Sequence, residues 1–388
     1  FVPPVPVEMK SPAGLRVWLL ERHDLPLVTV VVAAPRGSAA DPPGQPGLAA
    51  LAVDMMNEGA GALGALELSA AFDTLGASSG TFASYDGSYA YVTTLRPSLP
   101  RALGLLADVV TRPRFDAREW ARLVALQRNE LLARAADPAA VADLVARAVA
   151  FGPASPYGHS REGTLSTLGA LSRGAAQRFV AETFHPEGLT FVVVGDVQGN
   201  DAGALVDEAF GRWAKEQLAK GQAAKGQAAQ GGGALGRGGL GSSGKGVPPP
   251  AASADGASPA GASGRTVGAE SAVAEGTVVL VDRPGAPQAT VAWVRPGPSA
   301  GDPESLTVAL GNVPLGGTFA SRLNLVLREE KGWTYGARSH LEPFRSAGLL
   351  RAGAAVVTEH AVDAVVAMEK EMALFAEKGL RDGALSAA

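Results

Sequence analysis

Apolar residues in this chain fall into short β-branched blocks ended by Gly, Pro or Asp, and into longer stretches at helical spacing. The first block, over 15–33, reads as a strand. Pro42-Pro43-Gly44-Gln45-Pro46-Gly47 then makes a loop that ends at a helix start. Residues 47–57 form an apolar helix stopped near Glu58-Gly59, and a second short helix covers 66–75. Thr81-Phe82-Ala83-Ser84-Tyr85 and Tyr89-Ala90-Tyr91-Val92-Thr93-Thr94 alternate on either side of Asp86-Gly87, a hairpin signal. Helical spacing returns over 99–111, 119–136 and 139–151, the last opening after Asp137-Pro138. Residues 189–194 are a buried-type strand ending at Gly195-Asp196. Strand, helices, hairpin, helices, strand is an α+β order, not a repeating βαβ pattern.

Past residue 214 the pattern lapses. Lys220-Gly221-Gln222-Ala223-Ala224 is repeated as Lys225-Gly226-Gln227-Ala228-Ala229, and Gly, Ser, Ala and Pro then dominate. Such a stretch buries too little surface to offset its ordering entropy, so 215–272 is expected to be a flexible linker. Inside it, 239–245 matches the skeleton of a phosphate loop. Gly246 stands where Ser or Thr is required and no strand precedes it, so that match is rejected.

Near Gly276 the start of the chain is written again. Val17-Trp18-Leu19-Leu20-Glu21-Arg22-His23-Asp24-Leu25-Pro26 is matched without a gap by Val278-Val279-Leu280-Val281-Asp282-Arg283-Pro284-Gly285-Ala286-Pro287. Both continue into β-branched runs, 27–32 and 288–293. The period is too long for a solenoid and marks two copies of a whole domain. Helices are expected over 305–313, 319–330 and 360–378, and strands over 333–341 and 349–357. The expected fold is α+β, with two homologous domains over 1–214 and 273–388. Each is an antiparallel-rich sheet covered by helices, and the second lacks the last helices and strand of the first.

Composition narrows the chemistry. The net charge of −4 is dispersed, which leaves no nucleic-acid footprint. With no cysteine, disulfides, thiolate nucleophiles and Cys-ligated zinc are excluded. No apolar run has the length of a membrane-spanning helix. The 49 Gly and 27 Pro residues suit a GC-rich bacterial gene, and an opening at Phe1 implies a removed leader or a trimmed chain.

These residues resemble the pitrilysin family of zinc peptidases, which includes insulin-degrading enzyme and the mitochondrial processing peptidases. Gly47-Leu48-Ala49 opens the helix on which active members carry His-x-x-Glu-His. In that motif two imidazoles one helical turn apart grip zinc, and the Glu takes a proton from bound water. The resemblance puts Ala50, Val53 and Asp54 at these positions here, so both imidazoles and the general base are gone. The family's third ligand aligns with Glu130, which remains. A catalytic zinc needs three protein ligands and an open position. His23, His159, His185, His340 and His360 form no short-spaced pair. No zinc bound by this chain and no peptidase activity by the chain alone are therefore expected.

The second copy keeps a different family feature. Leu327-Arg328-Glu329-Glu330-Lys331-Gly332-Trp333-Thr334-Tyr335 resembles the Arg and Tyr pair that reaches the substrate at the zinc site, and Gly316-Gly317-Thr318-Phe319 resembles the family's Gly-rich entry to that helix. The resemblance implies a non-catalytic, substrate-binding subunit of a heterodimeric zinc peptidase. Arg328 and Tyr335 would donate hydrogen bonds to a bound peptide, the partner subunit would bring the zinc, and the peptide would add to a sheet edge. The bland reading makes Arg328 part of a helix C-terminus and Tyr335 strand packing. A structural or peptide-binding protein without a peptidase role is the alternative function, and a free-standing enzyme of other chemistry ranks below both. A trimmed start and bacterial relatives favour the bacterial cell envelope or periplasm over the cytoplasm.

Overall fold

The computed structural model describes residues 4–231 and 276–379. In the first domain, Val7–Lys10 (β1) pairs with Arg16–Glu21 (β2), and a turn over 22–26 leads into Leu27–Ala34 (β3). The expected single strand over 15–33 is thus two strands, because Asp24-Leu25-Pro26 interrupts the pairing. Helix α1 (Leu48–Asp54) is followed by the two-residue strands Gly59–Ala60 (β4) and Leu63–Gly64 (β5), then by α2 (Ala65–Thr74). Ser78–Ala83 (β6) and Ser88–Leu95 (β7) form the expected hairpin. Helices α3 (Leu99–Thr111), α4 (Ala117–Ala136), α5 (Pro138–Phe151), α6 (Leu165–Leu168) and α7 (Arg173–Thr183) precede Thr190–Gly195 (β8). The six strands lie in the order β1-β2-β8-β3-β7-β6, antiparallel except where β2 runs beside β8. Alternation dictates the core. Val17, Leu19, Val28, Val30, Val32, Phe191 and Val193 point to one face and are buried under the helices.

Helix α8 runs without a break from Gly199 to Gly231, past residue 215 where a linker was expected. The physical reason lies in composition: Lys, Gln, Glu, Leu and Ala over 215–229 are strong helix formers, and extending a helix already nucleated is cheap. The rest of that stretch up to 275, including the rejected phosphate-loop match, lies outside the described residues.

The second domain is a three-stranded antiparallel sheet of Gln288–Gly297 (β9), Thr334–Pro343 (β10) and Gly348–Val357 (β11), in the order β10-β11-β9. Helices α9 (Ser305–Asn312), α10 (Arg322–Asn324, continued as a π-helical stretch Leu325–Glu330) and α11 (Ala361–Lys378) cover one face. Gly316 sits between them because a Cβ there would lie 2.2 Å from Ser339 Oγ. Residues 278–281, the sequence match of β2, form no strand, and Val278 and Leu280 are 82% and 89% exposed. In the first domain the matching Val17 and Leu19 are buried because β2 is held between β1 and β8. No described residues supply those neighbours in the second domain.

The two domains join at their matching hairpin turns. Phe344, from the β10–β11 turn, enters a cluster of Tyr85, Phe151 and Tyr157, with the Tyr157 ring stacked on it at 4.5 Å. The neighbouring Arg345 donates its backbone N–H to the Asp86 carboxylate (2.8 Å) and its guanidinium to the Asp86 and Pro35 carbonyls (2.6 and 3.0 Å). Arg147 of α5 lies over the Tyr85 and Phe344 rings and pairs with Asp143 (3.2 Å) and Glu342 (2.6 Å). Phe344→Ala is expected to destabilise the protein by about 3–5 kcal/mol, read as a lower urea midpoint.

Candidate functional site

Helix α1 begins at Gly47, whose φ of 98° belongs to the left-handed region and whose missing Cβ leaves room for the Glu162 carbonyl at 2.7 Å. Its first N–H groups are satisfied from upstream: the Asp41 carboxylate accepts from Gly47 and Ala49, both at 2.8 Å. Burial nevertheless pushes Asp41 up to about 7. Leu48, Ala49, Leu51, Ala52 and Val53 are buried, so the helix spends its faces on packing. Val53, which the resemblance sets at the general-base position, is 0% exposed, and Thr81 Oγ1 donates to its carbonyl at 2.8 Å. Ala50 is half-buried.

Asp54 is the acid left on this helix, and other acids surround it. Burial raises it to about 6, and the charges of Glu130, Glu58 and Glu162 push the same way against Arg161. Glu130, on α4, is exposed and points its field at Asp54. Glu58 is taken by Arg122. Glu162 is held by Ser160 Oγ (2.7 Å), Arg161 (3.0 Å) and Arg134 (2.8 Å). Burial works to raise Glu162, but these partners outweigh it and its carboxyl stays below the usual range. A zinc ion does not fit this donor set. Helix α1 offers Ala50 and Asp54 and no imidazole, and the half-buried Glu58 and Glu162 are already paired with arginines. Among the described residues, no group of three or more His, Cys, Asp and Glu is placed to hold a metal ion.

Arg328 and Tyr335 lie on opposite sides of Gly332, whose φ of 67° turns the chain from helix to strand. Arg328 stacks its guanidinium over the exposed Phe319 ring at 4.1 Å and pairs with Glu329 at 3.5 Å. Its Nη1 is buried without a hydrogen-bond partner. Tyr335 occupies a bulge in β10, where the register with β11 slips between Thr334 and Ala337. Thr334 Oγ1 fixes the bulge by donating to the Ala355 carbonyl at 2.6 Å and accepting the Gly336 N–H at 3.1 Å. A bulge re-aims a side chain, and Tyr335 is 92% exposed. Strand packing therefore does not account for it. No hydrogen bond joins Arg328 to Tyr335 among the described residues, and neither lies with Asp54 and Glu130, which belong to the other domain.

Between the domains is a cavity of about 800 Å³. Tyr85, Leu131, Arg134, Arg147, Arg161 and Glu162 line it from the first domain, and Glu342, Pro343 and Phe344 close it from the second. Glu162 is shared between this wall and the acids around Asp54. Apart from Tyr85 in the hairpin, the sequence pattern singled out none of these lining residues, nor the Asp41 cap. The hairpin signal at Asp86-Gly87 was the nearest clue, since it located one of the two turns that meet here.

Comparison with known proteins identifies the architecture. The family model described as Insulinase (Peptidase family M16) matches residues 16–154, and the one described as Peptidase M16 inactive domain matches residues 170–388. The chain belongs to the M16 peptidase family, which is the pitrilysin and insulinase family. It is 26% identical over 378 residues to an uncharacterized zinc protease of Streptomyces coelicolor, covering 96% of this chain and 72% of that protein. A solved peptidase M16 inactive domain from Pseudomonas fluorescens matches at TM-score 0.76 and 21% identity, over 98% of this chain and 81% of that one. A protease from Helicobacter pylori matches at TM-score 0.75 and 16% identity, over 99% and 82%. These two structural likenesses are of fold. The inactive-domain match and the residues of α1 together fit a non-catalytic family member.

The acids make stability depend on pH. Asp54 rises in the fold from 3.8 to about 6, so the folded state keeps its proton where the unfolded chain has lost it. Its contribution is complete below about pH 4 and is lost as pH climbs through about 6. Asp54→Asn removes that loss. The variant is expected to exceed the parent at pH 8 by up to about 3 kcal/mol, and the difference should vanish below about pH 4 in parallel urea titrations.

Proposed function

We propose that this chain is the non-catalytic, substrate-binding subunit of a two-subunit zinc metallopeptidase, and that its partner is a family member carrying His-x-x-Glu-His. One observation carries the reading: the helix that bears that motif in active members is a packing element here, whereas Arg328 and Tyr335 are held where packing does not require them. Tyr335 stands out on a bulge. Arg328 keeps a guanidinium nitrogen without a partner, beside an exposed Phe319.

Arg328 and Tyr335 both donate to oxygen. A guanidinium and a phenol directed at a peptide carbonyl hold it in the ground state and hold it more tightly once water attack turns it into an oxyanion. The partner's zinc would supply the activated water; this chain supplies donors and a surface. Strand β6 is an outer strand packed against α1, and it leads into Ser84-Tyr85-Asp86 on the cavity wall. An extended peptide added along β6 would have its backbone hydrogen bonds satisfied by that strand and would run toward the cavity.

The test is reconstitution with a His-x-x-Glu-His family subunit followed by cleavage of a quenched fluorescent peptide. Arg328→Ala with Tyr335→Phe is expected to lower kcat/KM by ~10²–10³, with the partner's zinc content and the complex unchanged. Unchanged cleavage rejects the roles assigned to the pair. A stable complex that cleaves nothing, with a zinc-loaded partner, points to the assembly reading.

A further inference from the structure

The cavity between the domains has a wall of two chemistries, and every residue of that wall lies within 84–166 or 342–344. One side is apolar. Leu131 on α4, Val141 and Leu144 on α5 and Leu165 on α6 line it. Leu144 and Leu165 are 39% and 46% exposed, so packing within the chain does not cover them. Large apolar side chains left uncovered in a concavity of about 800 Å³ are the usual lining of a ligand site.

The other side is cationic. Arg134 Nη1 lies 2.8 Å from one oxygen of Glu162, and Arg161 Nη2 lies 3.0 Å from the other. Ser160 Oγ donates to the same carboxylate at 2.7 Å. Two half-buried guanidiniums thus share one carboxylate. No other acid of the wall is left to balance them. Asp143 holds Arg147 and Arg351, and Glu342 holds Arg147. Asp86 accepts the Tyr157 hydroxyl and the Arg345 N–H. Asp54 and Glu130 do not line the cavity. Arg147 in addition keeps Nη1 buried without an acceptor. The wall is therefore one negative charge short beside Arg134 and Arg161.

Arg161 ties this charge to the first sheet. Its Nη1 donates to the carbonyl of Ala83, the last residue of β6, at 3.3 Å. A chain laid beside β6 and running the same way reaches the arginines where β6 ends. We propose that the cavity takes the carboxyl end of a peptide whose last residue is apolar, with the terminal carboxylate on Arg134 and Arg161 and the terminal side chain against Leu144 and Leu165. A guanidinium meets a carboxylate with two parallel N–H donors, whereas a terminal amide offers one oxygen and no charge. Resting on the peptide-binding reading above, this site selects the substrate by its end.

The probe is a dye-labelled peptide ending in Ala-Ala-Leu, made as the free acid and as the C-terminal amide. Each is titrated into the full chain, without partner or zinc, and read by fluorescence anisotropy. The acid is expected to bind saturably and the amide ~10–100-fold more weakly, as befits the loss of a charged hydrogen-bonding group. Arg134→Met is expected to remove that preference by weakening the acid alone. Leu144→Asp is expected to weaken the acid by about tenfold or more. Neither side chain is buried, so the melting temperature of both variants should hold. Equal binding of acid and amide overturns the proposal. So does a preference that survives Arg134→Met combined with Arg161→Met, or decanoate binding as tightly as the peptide. The chain carrying Arg328→Ala and Tyr335→Phe is expected to keep the preference, which separates the two readings. Cleavage by the reconstituted peptidase with no preference for the free acid removes this site and leaves the subunit role standing. Preference for the free acid with no cleavage removes that role and leaves this site standing.

Discussion

Arg147 fixes how the two domains face each other. Its guanidinium is nearly enclosed, with aromatic rings of both domains against its plane and carboxylates of both domains at its edge. Asp143 carries a second arginine, Arg351 from β11, so the joint is a chain of alternating charges across the boundary. In such surroundings a charge is strongly held by its partners and costly to leave alone, so the pairs act as a register and not merely as attraction. The aromatic cluster around Phe344 contributes the burial, and the Arg345 bonds to Asp86 lock the turn. The cavity, one wall of which is the same β10–β11 turn, exists only because this joint holds.

Helix α1 of the first domain is a packing element. It carries no imidazole, and Leu48, Ala49, Leu51, Ala52 and Val53 bury area as it packs against β6 and α7. The acids that remain are not idle. Asp54 sits among negative neighbours and is held above the usual carboxylate range, while Glu58 and Glu162 are neutralised by arginines. In the second domain Arg328 rests its guanidinium on Phe319, and the bulge at Tyr335 gives up a ladder position to turn a phenol outward.

Much of the fold was legible because its signals are local. The hairpin at Asp86-Gly87, the helix over 99–111 and the cap at Asp137 follow from turn chemistry, period and capping. The repeat at Val17 and Val278 announced two domains. Less was legible wherever a neighbour decides the outcome. The run at 278–281 has a strand's composition and no strand, because β-structure is completed by partners distant in the chain. The stretch 215–231 reads as low complexity and is helix, because α8 was nucleated upstream. Asp41 could not be recognised as the cap of α1, since the loop brings it back onto the helix from outside the usual capping position.

Sequence alone determined the family pattern, the duplicated domain, and the absence of imidazoles on α1, because each is a matter of residue identity and spacing. Tertiary structure decided that Asp54 is ringed by acids, that Arg147 joins the domains over a cavity, and that Tyr335 faces solvent from a bulge. Those facts depend on distances and burial between residues far apart along the chain. A linear pattern carries no such information until the sheet and helices have packed.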